Sequence, residues 1–533
     1  MSLTKAANRM ISGSPVNLLD YAVGDGVTDD TVSIQRAIND IGAAGGGRLI
    51  IPAGYVFGYS DQVDLVSNLI VSGGGVLKHL DGAARLYAEN KQNIILQGFE
   101  IDGNKSAYVG TYVNTLTTHA VWINNCTNVV MDKLHVHDTL RTSLYIGGGA
   151  GALPSDGAWI TNCYIHDIGS PLDVTANFGN GPVVSCGKNI YIQNNLIENI
   201  YGTGGVNIEG TSLFKKDIYV TNNIIKNCTG TAAGIKVLDA VPVAEEHSGF
   251  YIWDNLVDTT GQEGLLANKT QDIDIRRNTF KNIGMSAIRI LGDLTINIDH
   301  VIIYDNVIDT YGTAADDTYR GIYVDNVIDC EVRGGSVLNA NASAGVAVEV
   351  NKTNPTGATT SKKVTIDGLT IRNTPSSAFD IIAKNLTITN CTVSEICQVS
   401  AGYFLDPQFA GASSPLIDGG YIGGNILDAT TGTVTAMLNA QGTRLSEIQY
   451  GPNNIIGGVP SIQFSAGTGS STAKIKDGYY PSVPSAGFAG SAATWEVGDK
   501  VFDSSPSASG QIGWVCVSGG TPGTWKSFGS ISA

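Results

Sequence analysis

NIYIQNNLIENIYG (189–202), DIYVTNNIIKNCTG (217–230), GFYIWDNLVDTTG (249–261), DIDIRRNTFKNIG (272–284) and HVIIYDNVIDTYG (300–312) are copies of one pattern. Each opens with an alternating run whose apolar residues fall on one face, as a strand half-buried against a core requires. An Asn-containing corner follows, then a second short apolar run, then a turn. Further along lies another alternating run: GVNIEG (205–210), GIKVLD (234–239), AIRILG (287–292), GIYVDN (321–326) or GVAVEV (345–350). Earlier copies start near Asn93, Asn128 and Gly157, later ones near Asp329, Lys363 and Asn385, so the spacing is about 22 to 34 residues. That period lies inside the solenoid window of roughly 20–50 residues. The pattern predicts an all-β chain, a right-handed parallel β-helix with three short strands per coil. Neighbouring coils would pair about 4.8 Å apart, stacking equivalent residues into columns. Asn195, Asn223, Asn255, Asn278 and Asn306 share one column. Stacked amides can hydrogen-bond along it, and Asn tolerates a left-handed corner, so this column is read as structural.

Composition agrees. A chain of 533 residues exceeds one ordinary globular core, but a stacked array grows by adding coils. Gly is abundant, at 66 residues, and charged residues make up only 15%, as expected for many strands and tight turns. The net charge of −16 argues against a nucleic-acid partner. It leaves an acidic polysaccharide open, because a local basic column can sit in an acidic protein. The longest apolar runs are about half the ~20 residues of a membrane helix, so no membrane insertion is expected. MSLTKAANRM at the start lacks the apolar segment of a signal peptide. Cys126, Cys163, Cys186, Cys228, Cys330, Cys391, Cys397 and Cys516 are scattered without a CxxC pair, and read as free, mostly buried thiols made in a reducing cytoplasm. No cofactor is expected.

VNLLDYAVGDGVTDDTVSIQRAIN (16–39) with GGGRLIIPAGYVF (45–57) resembles the opening motif of the pectate-lyase-like β-helix proteins found in phage tailspikes and bacterial pectinases. Asp29 or Asp30 can N-cap a short helix with an apolar face of Val32, Ile34, Ala37, Ile38 and Ile41, which would plug the open end of the solenoid. Capping is preferred to a calcium site for Asp25, Asp29 and Asp30. The divisions expected are a linker to the particle (1–15), a β-helix entry with the capping helix (16–92) and the β-helix carrying the active face (93–410). After residue 411 the coil pattern is lost, which suggests a capping or trimer-forming region (411–469). A small β domain, 470–533, holds Trp495, Trp514 and Trp525 and resembles C-terminal modules of phage tail proteins. Those Trp residues could stack on sugar, but the core of a small sandwich is preferred. The resemblance implies a tailspike on the virion tail, attached to tail or baseplate proteins through its N-terminus. It further implies a homotrimer that binds and depolymerises a capsular or O-antigen polysaccharide.

Alternation along the third strand gives one outward column of Trp122, Tyr145, Val184, Asn207, Lys236, Leu266, Arg289, Tyr323 and Ala347. A second column holds Asn124, Gly147, Cys186, Glu209, Leu238, Asn268, Leu291, Asp325 and Glu349, and Asp239 sits just past its strand. Insertions around 148–157, 170–182, 241–248 and 311–320 could wall this surface. Trp122, Tyr145, Asn207 and Asp325 are candidates for substrate binding, since aromatic faces stack on sugars. Lys236, Arg289, Tyr323, Glu209 and Asp239 are candidates for catalysis. In an elimination, a cation neutralises the uronate, a base takes the neighbouring proton, and the leaving oxygen is protonated; the basic residues favour this route. Hydrolysis by two carboxylates about 5–5.5 Å or 6.5–9.5 Å apart is the alternative. A non-catalytic receptor-binding fibre or a secreted pectinase-like enzyme are others, and Lys236 and Arg289 could simply neutralise the acids around them. His137 and His166 share a turn column with His135 beside them, but His-x-His without a third ligand is a weak signal, so no metal is expected.

Overall fold

The computed structural model describes residues 14–459 except 82–83, 109–118, 149–152, 171–178, 211–213, 239–246, 293–297, 315–318, 343, 351–360, 408–416 and 440–444; beyond these it describes 462–463, 475–476, 479–480, 483–484, 493–503 and 505–532. Two compact units, Met1–Asp274 and Ile275–Ala533, make up the chain.

In the first unit, the strands Gly47–Ile51, Leu69–Gly73, Gln92–Gln97, Thr127–Asp132, Ser155–Thr161, Gly187–Gln193, Lys215–Thr221 and His247–Trp253 pair in parallel, each with the next. They are the first strands of successive coils. Ile190, Ile218 and Phe250 fall in register and are buried in the core. The alternate residues stack outside: ring centroids of Trp159, Tyr191, Tyr219 and Tyr251 follow at 5.4, 4.7 and 4.6 Å, with the ring planes nearly parallel. Second and third strands follow in each coil and fuse into one in Leu196–Ile208 and Ile224–Leu238.

The helix Thr31–Ala43 buries Ile34, Ala37, Ile38 and Ile41 as expected, but Val32 is exposed. Asp30 precedes the helix without a side-chain cap bond; its carboxylate accepts from the Val23 and Gly24 amides instead. Capping falls to Asp29, which accepts from the Thr31 amide at 3.0 Å. Asp25 accepts from the Val27 and Thr28 amides. The three acids are therefore used in turns and the helix start. The Thr28 and Val27 amides hold Asp25 below the usual carboxylate range, and the Ser60 and Thr31 hydroxyls, which donate to Asp29, hold that carboxyl low as well.

In the second unit, Val301–Tyr304, Cys330–Arg333, Lys362–Asp367, Ala383–Thr389, Ile417–Gly423 and Leu445–Tyr450 pair the same way. The coil therefore continues past residue 411, contrary to the loss read from the sequence. Gly419, Gly420 and Gly423 interrupt side-chain alternation there, but the backbone ladder needs none. At Gly420, with φ at 143°, a Cβ would collide with the Leu386 carbonyl, so only Gly lets that strand pass. A four-stranded sheet, Tyr479–Tyr480, Lys500–Asp503, Gln511–Ser518 and Thr524–Ser530, closes the described chain. Trp495 is buried against Trp525, which favours the core reading of this domain.

The Asn ladder forms. Asn223 Oδ1 accepts from the amide of Asn195 at 3.0 Å and from its Nδ2 at 2.9 Å, and Asn255 does the same for Asn223. In the second unit Asn306 serves Asn278 and Asn453 serves Asn425. The left-handed residue is the one before the ladder Asn at Asn195, Asn223, Asn255, Asn278 and Asn306, for example Asn194 and Asn222, both at φ 57°, rather than the ladder Asn itself. All eight cysteines are buried and none forms a disulfide. In Asn223→Leu, the Asn195 amide and the Ile192 carbonyl lose partners inside the core. At about 1–3 kcal/mol per stranded group, a lower denaturation midpoint and reduced soluble yield are expected. An unchanged midpoint would show that the ladder carries no load.

Candidate functional site

The third strand of each coil carries the face singled out above, with corrections of register. In the first unit Trp122 pairs with Tyr145, Tyr145 with Val183, Val183 with Asn207, Asn207 with Lys236, and Lys236 with Leu266. Val183, not Val184, is the column member, and buried Cys186 yields to Ser185, which accepts from the Tyr145 hydroxyl at 2.7 Å. The strand is split here into Gly179–Asn180 and Val183–Val184, and a one-residue slip exchanges the faces.

Trp122 and Tyr145 meet as predicted, with ring centroids 5.5 Å apart. Arg85 lies 4.9 Å over the Trp122 ring, and Tyr87 and His119 pack at its edges. This box gives a half-buried aromatic surface with a cation on it. Burial, then the positive charges of Arg141 and Arg85, push His119 down to about 3, so the ring is neutral at physiological pH. Asn207 is fully buried and bonds Asn180 and Thr203, so it is part of the wall and not a surface ligand. Lys236 and Glu209 come together at 3.5 Å, with 16% and 37% of their side chains exposed, so the cation is already paired. Asp239 lies outside the described residues, as do 149–152, 171–178, 241–246 and 315–318 of the expected walls.

In the second unit Arg289 stands 5.8 Å over the ring of Tyr323, its partner in register. Tyr323 pairs with Glu349, so Glu349 takes the place assigned to Ala347. The column then runs to Asp380 on the next coil. Phe379 pairs with Leu405 and Leu405 with Leu438, which places Asp406 and then Asn439 in the same column. Glu349, Asp380 and Asp406 are only 3, 4 and 2% exposed, and nearby Asp325 is also buried. The Arg320 guanidinium is paired with Glu349, and Asn439 Nδ2 donates to Asp406 at 2.6 Å. The sequence reading missed Arg320, Asp380 and Asp406. FDI at 379–381 was the available signal, an acid between two core residues of an alternating run.

On the second strand, the expectation that the histidines lack a further ligand fails. Glu100, in register with His135 on the preceding coil, lies 3.2 Å from both His135 and His137. It is distant in sequence, and only pairing of the coils brings it there.

Removing one partner of a buried ion pair strips the other of a compensating charge in the core. Arg320→Ala should therefore cost about 3–5 kcal/mol of stability, while Arg320→Met combined with Glu349→Leu should recover most of it. Thermal unfolding of the two variants checks this.

A family model for the right handed β-helix region matches residues 86–248. The preneck appendage protein of Bacillus phage PZA is 32% identical over 174 residues, covering 28% of this chain and 20% of that protein. A mannuronan C5-epimerase of Azotobacter vinelandii is 36% identical over 108 residues, covering 17% and 11%. The chain thus spans about a fifth or less of the length of these relatives. The crystal structure of the pre-mature phage phi29 gene product 12 superposes with a TM-score of 0.50 at 17% identity, over 87% of this chain and 59% of that one. By its coils, its family-model match and these likenesses, the chain is a right-handed parallel β-helix protein similar to phage appendage proteins.

Proposed function

We propose that this protein is a phage tailspike that binds a bacterial surface polysaccharide and cleaves it on the third-strand face. One observation carries the cleavage: Glu349, Asp380 and Asp406 occupy successive coils of one column. Adjacent coils stand about 4.8 Å apart and alternate coils about 10 Å. These spacings lie near the carboxyl separations of about 5–5.5 Å for retaining and 6.5–9.5 Å for inverting hydrolysis. Asp380 takes part in either adjacent pair, Glu349–Asp380 or Asp380–Asp406. Its proposed role is proton transfer or attack at the glycosidic bond, with Arg320 orienting Glu349. The Trp122–Tyr145 box, with Arg85 above it, offers sugar stacking and a charge for an acidic unit of the chain. The similarity to phage appendage proteins supports the tail location; a homotrimer is the assembly this reading assigns, since closed cyclic symmetry suits a spike on an axis.

Elimination is the second reading. Arg289 over Tyr323 is the observation that favours it, since a cation to hold a uronate stands beside a phenol able to move a proton. Lys236, paired with Glu209, would serve as a further uronate contact.

Digestion of purified capsule or O-antigen tests both readings. Asp380→Asn is expected to lower kcat by about 10²–10⁴-fold in a folded protein with the wild-type trimer mass. Trp122→Ala should weaken glycan binding while sparing the fold. New reducing ends without ultraviolet absorbance of an unsaturated uronate support hydrolysis. That absorbance, together with loss of activity in Tyr323→Phe, would move the chemistry to elimination. Binding without any shortening of the glycan would refute an enzyme and leave an adhesin. A monomeric mass would refute the trimer.

A further inference from the structure

We propose that Glu100, His135 and His137, on the second strands of two adjacent coils in the first unit, bind a divalent transition-metal ion. One ligand atom from each lies within 4.8 Å of the others. Glu100 presents its two oxygens to different rings, Oε2 at 3.2 Å from His135 Nδ1 and Oε1 at 3.2 Å from His137 Nε2. Ligands about 2.0–2.1 Å from a tetrahedral ion stand roughly 3.3 Å from one another, and the two Glu100–imidazole separations match that spacing.

Proton accounting on the rings gives an independent argument. His137 faces a carboxylate with both nitrogens, Nδ1 at 2.8 Å from Asp138 Oδ2 and Nε2 at 3.2 Å from Glu100 Oε1. A neutral imidazole has one N–H and satisfies one of them. A cation beside Nε2 resolves the conflict, with Nδ1–H donating to Asp138. His135 faces Glu100 with Nδ1 and His166 with Nε2, whose own Nε2 is 2.8 Å away, and His166 Nδ1 lies 2.6 Å from Asp167 Oδ2. With His135 Nδ1 on the ion, its Nε2–H donates to His166 Nε2, and His166 Nδ1–H donates to Asp167. Every ring proton then has one acceptor. Each ligating imidazole is oriented by an outer partner, the arrangement that fixes tautomers at metal sites. Lys105 lies 3.6 Å from Asp138 and donates to the Asp167 carbonyl, holding that outer shell. Asp102, in register with His137, adds negative charge beside the site.

Two imidazoles and one carboxylate suit zinc and its first-row neighbours, whereas calcium and magnesium prefer oxygen donors. His135 and Glu100 are 38% and 35% exposed, so a further coordination position faces solvent. The ion would join two coils, and its binding would stabilise the fold as well as occupy the site.

The test is calorimetric titration of the 533-residue chain with zinc chloride near neutral pH, with calcium chloride in parallel. The expected result is one zinc ion per chain, no comparable uptake of calcium, and a melting temperature raised by zinc and lowered again by a chelator. Cobalt in place of zinc should give the intense visible bands of a low-coordinate nitrogen and oxygen site. Glu100→Gln, which preserves packing, and the double variant His135→Ala/His137→Ala should each lose this uptake. Asp138→Asn should weaken it about 10–100-fold with the fold unchanged. Zinc uptake by the wild type no greater than by the double variant would overturn the proposal, leaving His137 as an imidazolium between Glu100 and Asp138.

Discussion

Everything in this protein depends on one repeated contact, the parallel backbone ladder that seats each coil on the next at about 4.8 Å. The ladder is made of amides and carbonyls, so it tolerates almost any side chain that leaves the strand extended. It does not tolerate a corner whose polar groups are stranded in the core. Where a buried Asn occupies the corner, as at Asn195, Asn223 and Asn255, it resolves that: the Asn223 side chain accepts from the backbone and side chain of its neighbour and donates to a carbonyl of the preceding turn.

Stacking also decides what the outer surface can do. Residues 20 to 40 positions apart become neighbours, so a like pair of side chains in consecutive repeats becomes a stack. With aromatics this gives the ladder from Trp159 to Tyr251, where rings cover one another's faces. With carboxylates it gives Glu349, Asp380 and Asp406, a juxtaposition that would repel without the Arg320 guanidinium and the Asn439 amide beside it. Burying charges in this way is costly and adds little stability relative to apolar packing. That cost is the reason to look for chemistry in this column before looking at the half-buried Lys236–Glu209 pair, whose acid still meets solvent.

The repeats, the capping helix, the free cysteines and the Asn column were legible because each rests on local pattern: alternation, helical spacing, a corner residue recurring once per turn. Trp122 with Tyr145, Lys236 with Glu209 and Arg289 with Tyr323 were also legible, since adjacent repeats aligned without slips there. Reading stopped where a repeat carried an irregularity. The split strand at Gly179–Val184 shifted Val184 and Cys186 out of their columns, and the GVAVEV run was aligned two residues early, which put Ala347 where Glu349 stands. Past residue 411, glycines erased the side-chain signal of coils whose ladder continues.

The sequence by itself determined the architecture, because alternation and corner chemistry are properties of consecutive residues, and a strand with one apolar face has to bury it. It also determined which residue types line the outer columns. Only the tertiary structure decided which of them touch. A single-residue slip between coils reverses a side chain's face, and the slips are set by bulges and loops whose cost is felt across coils. Glu100 meets His135 and His137, and Asp380 lies between Glu349 and Asp406, because hydrogen bonds between coils chose that register.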